Sequence, residues 1–289
     1  MHSKIKYIKF KEGLPLEIEI IPIADTILRH QLIISRPHRA EFYHIFWIQK
    51  GTAEYQIDFE PVKVGENSFL FVNKNRVQVW DNNSRYDGKL LLFTDSFFAE
   101  GSADTKYLHS TILFNDFVEV PIINVASNPS LQSIFAAIEG ELQEDDDEFH
   151  YHLLHNLLHN LLLHAERERR KQGFTEIAKG VDFDYTVLFK DLVEEQFRNV
   201  RSVVSYASQM NVSEKRLTKA VTKTVGKSPK TVIDERVMLE AKRLLIHTSL
   251  SIKEVGYKLG FEEATNFIKY FRKHLQQTPI EFRESYLGG

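Results

Sequence analysis

Residues 251–261 read Ser-Ile-Lys-Glu-Val-Gly-Tyr-Lys-Leu-Gly-Phe. Ser251 with Glu254 three positions on is a capping-box pattern. It fixes a helix start, because each side chain satisfies a backbone N–H that the first turn leaves without a partner. Gly256 is small enough to let a second helix cross closely. Gly260 suits a turn that needs positive φ, and Phe261 offers an apolar anchor for that turn. The stretch predicts a short helix, a tight turn, and a second helix beyond Phe261.

The pattern occurs twice. Val203, Ala207 and Met210 stand 49 positions before Ile252, Gly256 and Leu259. Leu217, Val221, Val225 and Pro229 stand 50 positions before Phe267, Phe271, Leu275 and Pro279. The one-residue change falls at the turn, where an insertion is cheapest. Asn211 takes the place of Gly260, and asparagine visits positive φ more readily than most residues. A helix around Thr231–His247 joins the copies. Two such units suit successive major-groove turns, about 34 Å apart. Paired helical hairpins also build protein-binding bundles, so the pattern alone leaves both readings open. Charge leans toward a polyanion. Residues 185–289 hold 18 Lys and Arg against 12 Asp and Glu, a balance of +6, while the remainder, with 19 against 28, carries −9.

With these residues in view, the C-terminal third resembles the AraC family of bacterial regulators. Ala241, Leu244, Leu245 and Thr248 match the opening of that family's second unit. Ser251, Ile252 and Glu254 match its cap, and Leu259-Gly260-Phe261 its turn. Phe267, Phe271, Lys273, Thr278, Pro279, Phe282 and Arg283 match the rest, with Arg272 standing for a lysine. Tyr206-Ala207, Val212-Ser213, Leu217 and Gly226-Lys227-Ser228-Pro229 carry the likeness in the first unit. The departures are Gly256 for Ala, Glu263 for Asp, Asn266 for Tyr, Lys269 for Arg, and Gln276 for the glycine that usually ends that helix. Asn266 and Lys269 fall on the recognition face and alter which DNA is read.

The resemblance implies base contacts from Lys215, Thr218 and Lys219 in the first recognition helix. In the second it implies Thr265, Asn266 and Lys269. These residue types suit base readout. Lysine reaches guanine acceptors, asparagine pairs with adenine, and threonine offers a hydroxyl and a methyl. Lys223, Ser251, Arg272 and Lys273 are expected at phosphates. The implied partners are double-stranded DNA, a small-molecule effector, a second copy of the chain, and RNA polymerase.

Upstream, residues 1–126 read as β. Leu16–Ile20 and Ala53–Phe59 alternate apolar with polar residues, as in a half-buried strand, and Phe42–Ile48 is aromatic and branched, as in a more buried one. Lys50-Gly51-Thr52 reads as a turn. Further strands are expected at Ser68–Asn73, Val77–Trp80 and Lys89–Thr94. Pro37–Tyr43, Gly51 and Val77–Trp80 resemble a cupin-type domain. Metal-binding cupins use several histidines, whereas here Ala40 and Gln78 stand where two of them would be expected beside His38. The chain therefore reads as a sensor rather than an enzyme, with no cofactor and no metal. Arg39, Tyr43, Arg76 and Trp80 are the ligand-binding candidates. The alternatives are a cupin-like sugar-modifying enzyme with a helical appendage and a ligand-independent regulator whose N-terminal domain only dimerises.

Residues 127–184 read as a helical dimerisation segment and linker. An i, i+3/i+4 stripe of Leu153, Leu154, Leu157, Leu158, Leu161 and Leu162 is amphipathic and suits its own domain or a partner. His155 and His159 are spaced i, i+4 as in some zinc sites, but the spacing forces no third ligand, and they read as the polar flank of the leucine stripe. Residues 185–289 are expected to be all helix, so the fold class is α+β: a cupin-like barrel, a helical segment and a double helix-turn-helix domain. No cysteine is present, so disulfides are excluded. The N-terminus lacks a signal-peptide core, and no run approaches the ~20 apolar residues of a membrane span. A cytoplasmic protein is expected.

Overall fold

The computed structural model describes residues 5–11, 13–80, 86–114, 120–126, 128–172 and 180–287. Two compact units divide the chain, Ile5–Glu176 and Ile177–Gly289. The first holds two five-stranded sheets. One runs in the order β1 (Lys6–Ile8), β3 (His38–Ala40), β8 (Gln78–Trp80), β5 (Ala53–Ile57), β6 (Glu60–Val64). The other runs β10 (Ile122–Asn124), β7 (Ser68–Val72), β4 (Tyr43–Gly51), β9 (Tyr86–Phe93), β2 (Ile18–Pro22).

Sequence pattern explains which sheet is covered. In β5, Ala53, Tyr55 and Ile57 are buried and Glu54 is exposed, so one face meets solvent. The second sheet is buried on both faces, and Tyr43–Ile48 and Ser68–Val72 accordingly lack polar alternation. Phe46, Ile48, Leu70 and Leu92 pack toward the first sheet. Tyr43, Ile45, Trp47, Phe69 and Phe71 pack on the opposite side, against helices. Gly51, at φ +74°, takes the chain from the second sheet into the first.

The expected barrel is corrected to an open pair of sheets. Among the described residues no ladder joins an edge of one sheet to an edge of the other. The outer face of the second sheet is covered by α4 (Pro129–Glu141) and α5 (His150–Lys171), so it needs no closure to leave water. Leu154, Leu158, Leu161 and Leu162 enter that core, whereas Leu153 stays exposed and Leu157 half-buried. The leucine stripe thus packs mainly on its own unit. Three helices in the β region, α1 (Ile23–Ile34), α2 (Asp95–Phe98) and α3 (Ser102–Ser110), were not expected from the sequence. Pro22 precedes α1 without a side-chain cap, so that helix carries no start signal.

The second unit is helical: α6 (Val181–Gln196), α7 (Val203–Gln209), α8 (Glu214–Val225), α9 (Pro229–His247), α10 (Ile252–Lys258), α11 (Ala264–Leu275) and α12 (Pro279–Leu287). Ser202, Ser213, Ser228 and Ser251 each cap a helix by accepting from the backbone three residues on. Asn211 and Gly260 sit in the two turns at φ +55° and +80°. Gly226 and Gln276 end the two recognition helices in the left-handed region, so the repeat extends to the backbone. Leu217, Val221, Phe267 and Phe271 are fully buried in one core with α9. Arg283 donates to the carbonyls of Leu245 and Leu250 at 2.9 and 2.7 Å, which ties α12 to the end of α9. Glu240, 1% exposed, accepts from Arg198, Arg236 and Arg243 inside the unit.

Candidate nucleic-acid interface and effector cavity

On α8, Leu217, Ala220 and Val221 are buried, which turns Lys215 and Lys219 to solvent and leaves Thr218 half-buried. On α11, Phe267 and Phe271 are buried, which turns Thr265, Asn266, Lys269, Arg272 and Lys273 outward. Every residue expected at a base edge therefore reaches the surface, and four of the six are lysine or asparagine, long enough to enter a groove. Thr265 Oγ1 donates to Glu263 Oε2 at 3.1 Å, so its hydroxyl is engaged beside the helix start.

The phosphate candidates differ among themselves. Arg272 and Lys273 are exposed in the last turn of α11. Lys223 Nζ instead lies 2.9 Å from Asp182 Oδ2 in the first turn of α6, and Asp182 also pairs with Arg216. The Arg216 guanidinium sits 4.8 Å from the centre of the Tyr185 ring. Lys223 and Arg216 together hold the Asp182 carboxyl below the usual carboxylate range. Ser251 donates from both its N–H and its hydroxyl to Glu254 Oε2 at 2.7 Å. The capping box thus puts a carboxylate where a phosphate oxygen was expected to meet Ser251. No local pattern pointed to Asp182, which lies in the helix before the first repeat.

In the other unit a cavity of about 590 Å³ opens between α1 and the strands. Much of its wall is apolar, with Ile21, Ile34, Phe42, Trp80, Leu90 and Leu92; Lys6, Lys9, Lys11 and Arg29 also line it, as do Glu19 and Asp25, the latter 3.6 Å from Arg29. These four cationic residues are exposed. His38 and His44 lie in the wall. His38 Nδ1 is 2.9 Å from the Arg36 carbonyl oxygen. His44 is 3% exposed, and its Nδ1 has no hydrogen-bond partner among the described residues. Burial holds the His38 imidazole below its ordinary range and pushes His44 down to about 3.

The four expected ligand residues do not converge. Trp80 lines the cavity. Tyr43 faces the opposite core, where its hydroxyl donates to Asp95 Oδ1 at 2.9 Å. Alternation along β4 gives the cavity His44 instead, one residue on. Arg39 follows His38 on β3 and is not part of the wall, and Arg76 pairs with Asp58. The second imidazole carried no sequence signal, because His44 sits inside an aromatic run. Gln78 stands directly across from His38 in the β3–β8 register, which sets an amide beside the imidazole.

Comparison with known proteins finds the same two parts. Residues 27–162 match an AraC-like ligand binding domain, and residues 206–285 match a helix-turn-helix domain. The chain is 29% identical over 96 residues to the lactose operon transcription activator of Staphylococcus xylosus, 33% of this chain and 34% of that protein. It thus spans about a third of that relative's length. It is 18% identical over 248 residues to the HTH-type transcriptional activator RhaS of Escherichia coli, covering 86% of this chain and 87% of that one. Among solved structures, ToxT from Vibrio cholerae aligns at 15% identity over 92% of this chain and 96% of that chain, with a TM-score of 0.41. The C-terminal domain of the response regulator yesN from Fusobacterium nucleatum aligns at 27% identity over 34% of this chain and 95% of that chain, with a TM-score of 0.32.

Proposed function

Because this chain belongs to the AraC family of DNA-binding transcription regulators, we propose that it reads a bipartite operator and answers to a small amphipathic anion held in the N-terminal unit. The observation that carries the first half is the outward set Lys215, Thr218, Lys219, Thr265, Asn266 and Lys269 on two helices of matching build. A long polar side chain on an exposed recognition helix distinguishes base edges through major-groove donors and acceptors. Residues 185–289 serve as the DNA-binding domain, with Lys223, Arg272 and Lys273 on the backbone. The regulator works in the cytoplasm, as a homodimer, together with RNA polymerase.

Selection of bound duplexes from a random pool tests this reading. Enriched sites should contain two conserved blocks about one helical turn apart, that is, about 10 base pairs. A pool that enriches no sequence would overturn it.

The cavity supports the second half. Apolar walls favour an apolar body, the three lysines, which outnumber the carboxylate of Glu19, unpaired among the described residues, favour an anionic head, and the buried Nδ1 of His44 is a group that a ligand can satisfy. Straight-chain carboxylates should raise the unfolding temperature of the N-terminal unit, and the corresponding alcohols should raise it less. Equal effects of acid and alcohol would remove the anionic head from the reading.

A further inference from the structure

His155 and His159 lie one turn apart on α5, and the fold brings Asp104 of α3 against them. One ligand atom from each of the three lies within 4.8 Å of the other two. His159 Nε2 is 3.4 Å from Asp104 Oδ1. That is the edge of a tetrahedron whose ligands stand ~2.0–2.1 Å from a zinc ion, about 3.4 Å. His155 Nε2 lies 2.8 Å from the carbonyl oxygen of Phe98. A carbonyl only accepts, so the ring donates there and keeps Nδ1 unprotonated. Ligating histidines are commonly oriented this way, by a second bond to a backbone carbonyl. The two imidazoles are 4.7 Å apart, and the Phe98 ring stacks on His159 at 4.2 Å. An ion pair accounts for His159 and Asp104 but not for the second imidazole within reach of both.

We propose that Asp104, His155 and His159 bind one divalent transition-metal ion, Zn²⁺ by ligand chemistry. Two imidazole nitrogens and one carboxylate oxygen favour zinc over the oxygen-seeking magnesium and calcium. An ion held there would cross-link α3 to α5.

The test uses the full chain stripped with a chelator, then titrated with Zn²⁺ by calorimetry and with Co²⁺ by visible absorption. One ion per chain is expected, with a Co²⁺ spectrum of low-coordinate nitrogen and oxygen ligation. Asp104→Asn and His159→Gln should each weaken binding by at least about tenfold, since losing even an outer-sphere partner costs that much. His164→Gln, a histidine of the same helix outside the cluster, should leave affinity unchanged. Circular dichroism identifies a variant that fails to fold, in which case the other decides. Absence of saturable binding, or equal affinity in the wild type and both cluster variants, would overturn the site.

Discussion

Asp182 Oδ2 lies 2.9 Å from Lys223 Nζ, and the same carboxylate pairs with Arg216, so a residue outside the repeated units neutralises two cations of the first recognition helix. Removing it releases positive charge toward DNA without altering the groups expected at bases. Asp182→Ala should bind operator and random duplex more tightly by a similar factor. The slope of log K against log salt should steepen by about 0.9 for each phosphate newly neutralised. Fluorescence anisotropy at several salt concentrations reads both quantities, and an unchanged slope would contradict the idea that the carboxylate masks those cations.

Gly260 and Gly256 make opposite demands. A Cβ on Gly260 would stand 1.8 Å from the carbonyl oxygen of Arg198, at a φ of +80°. Gly260→Ala should therefore cost at least about 3 kcal/mol, because strain and a backbone clash add. The nearest atoms to a Cβ on Gly256 are those of the Phe267 side chain, its Cβ first at 3.1 Å. There the gain in helix propensity, about 1 kcal/mol, offsets a tight contact, and Gly256→Ala should lie within about 1 kcal/mol of wild type. Chemical denaturation of the two variants checks the contrast.

Lys219 and Lys273 occupy different parts of their helices, the first in the middle of α8 and the second in the last turn of α11. Lys219→Ala should weaken operator binding by about 1–3 kcal/mol and random-sequence binding by less. Lys273→Ala should weaken both alike, as the loss of a phosphate contact does. Competition binding against random duplex separates the two outcomes. Equal losses in the two variants would remove the division of roles.

The N-terminal unit should lose stability in mild acid. His44 titrates at about 3 when folded, against an ordinary value of 6.5, because it is buried. Its folded value is depressed, so its contribution is full above pH 6.5 and is lost as pH falls toward 3. His38, shifted the same way, adds to the effect. Both tryptophans, Trp47 and Trp80, belong to this unit, so their fluorescence follows its unfolding alone. His44→Phe sets a non-titrating ring between Phe42 and Phe46 and should flatten the decline between about pH 6 and 4. A variant with the same acid profile as wild type would exclude His44 as a cause.

Local chemistry made the C-terminal unit legible in advance. The Ser251 capping box, the paired positive-φ positions at Asn211 and Gly260, and the apolar positions of the helices act over three to five residues, so their order along the chain is enough to place them. The strands Ala53–Ile57 and Tyr43–Gly51 were legible for the same reason, from alternation in one and an aromatic, branched run in the other. What the tertiary structure decided was who meets whom. Strand pairing left the sheets open, alternation on β4 sent His44 rather than Tyr43 into the cavity, and α1 closed over it without a cap to announce it. Asp182 reached α8, and Asp104 reached His155 and His159, across stretches of chain with no local signal. Periodicity tells a residue which face it occupies, whereas a site needs residues from separate elements at one point, and only packing of the whole unit supplies that meeting.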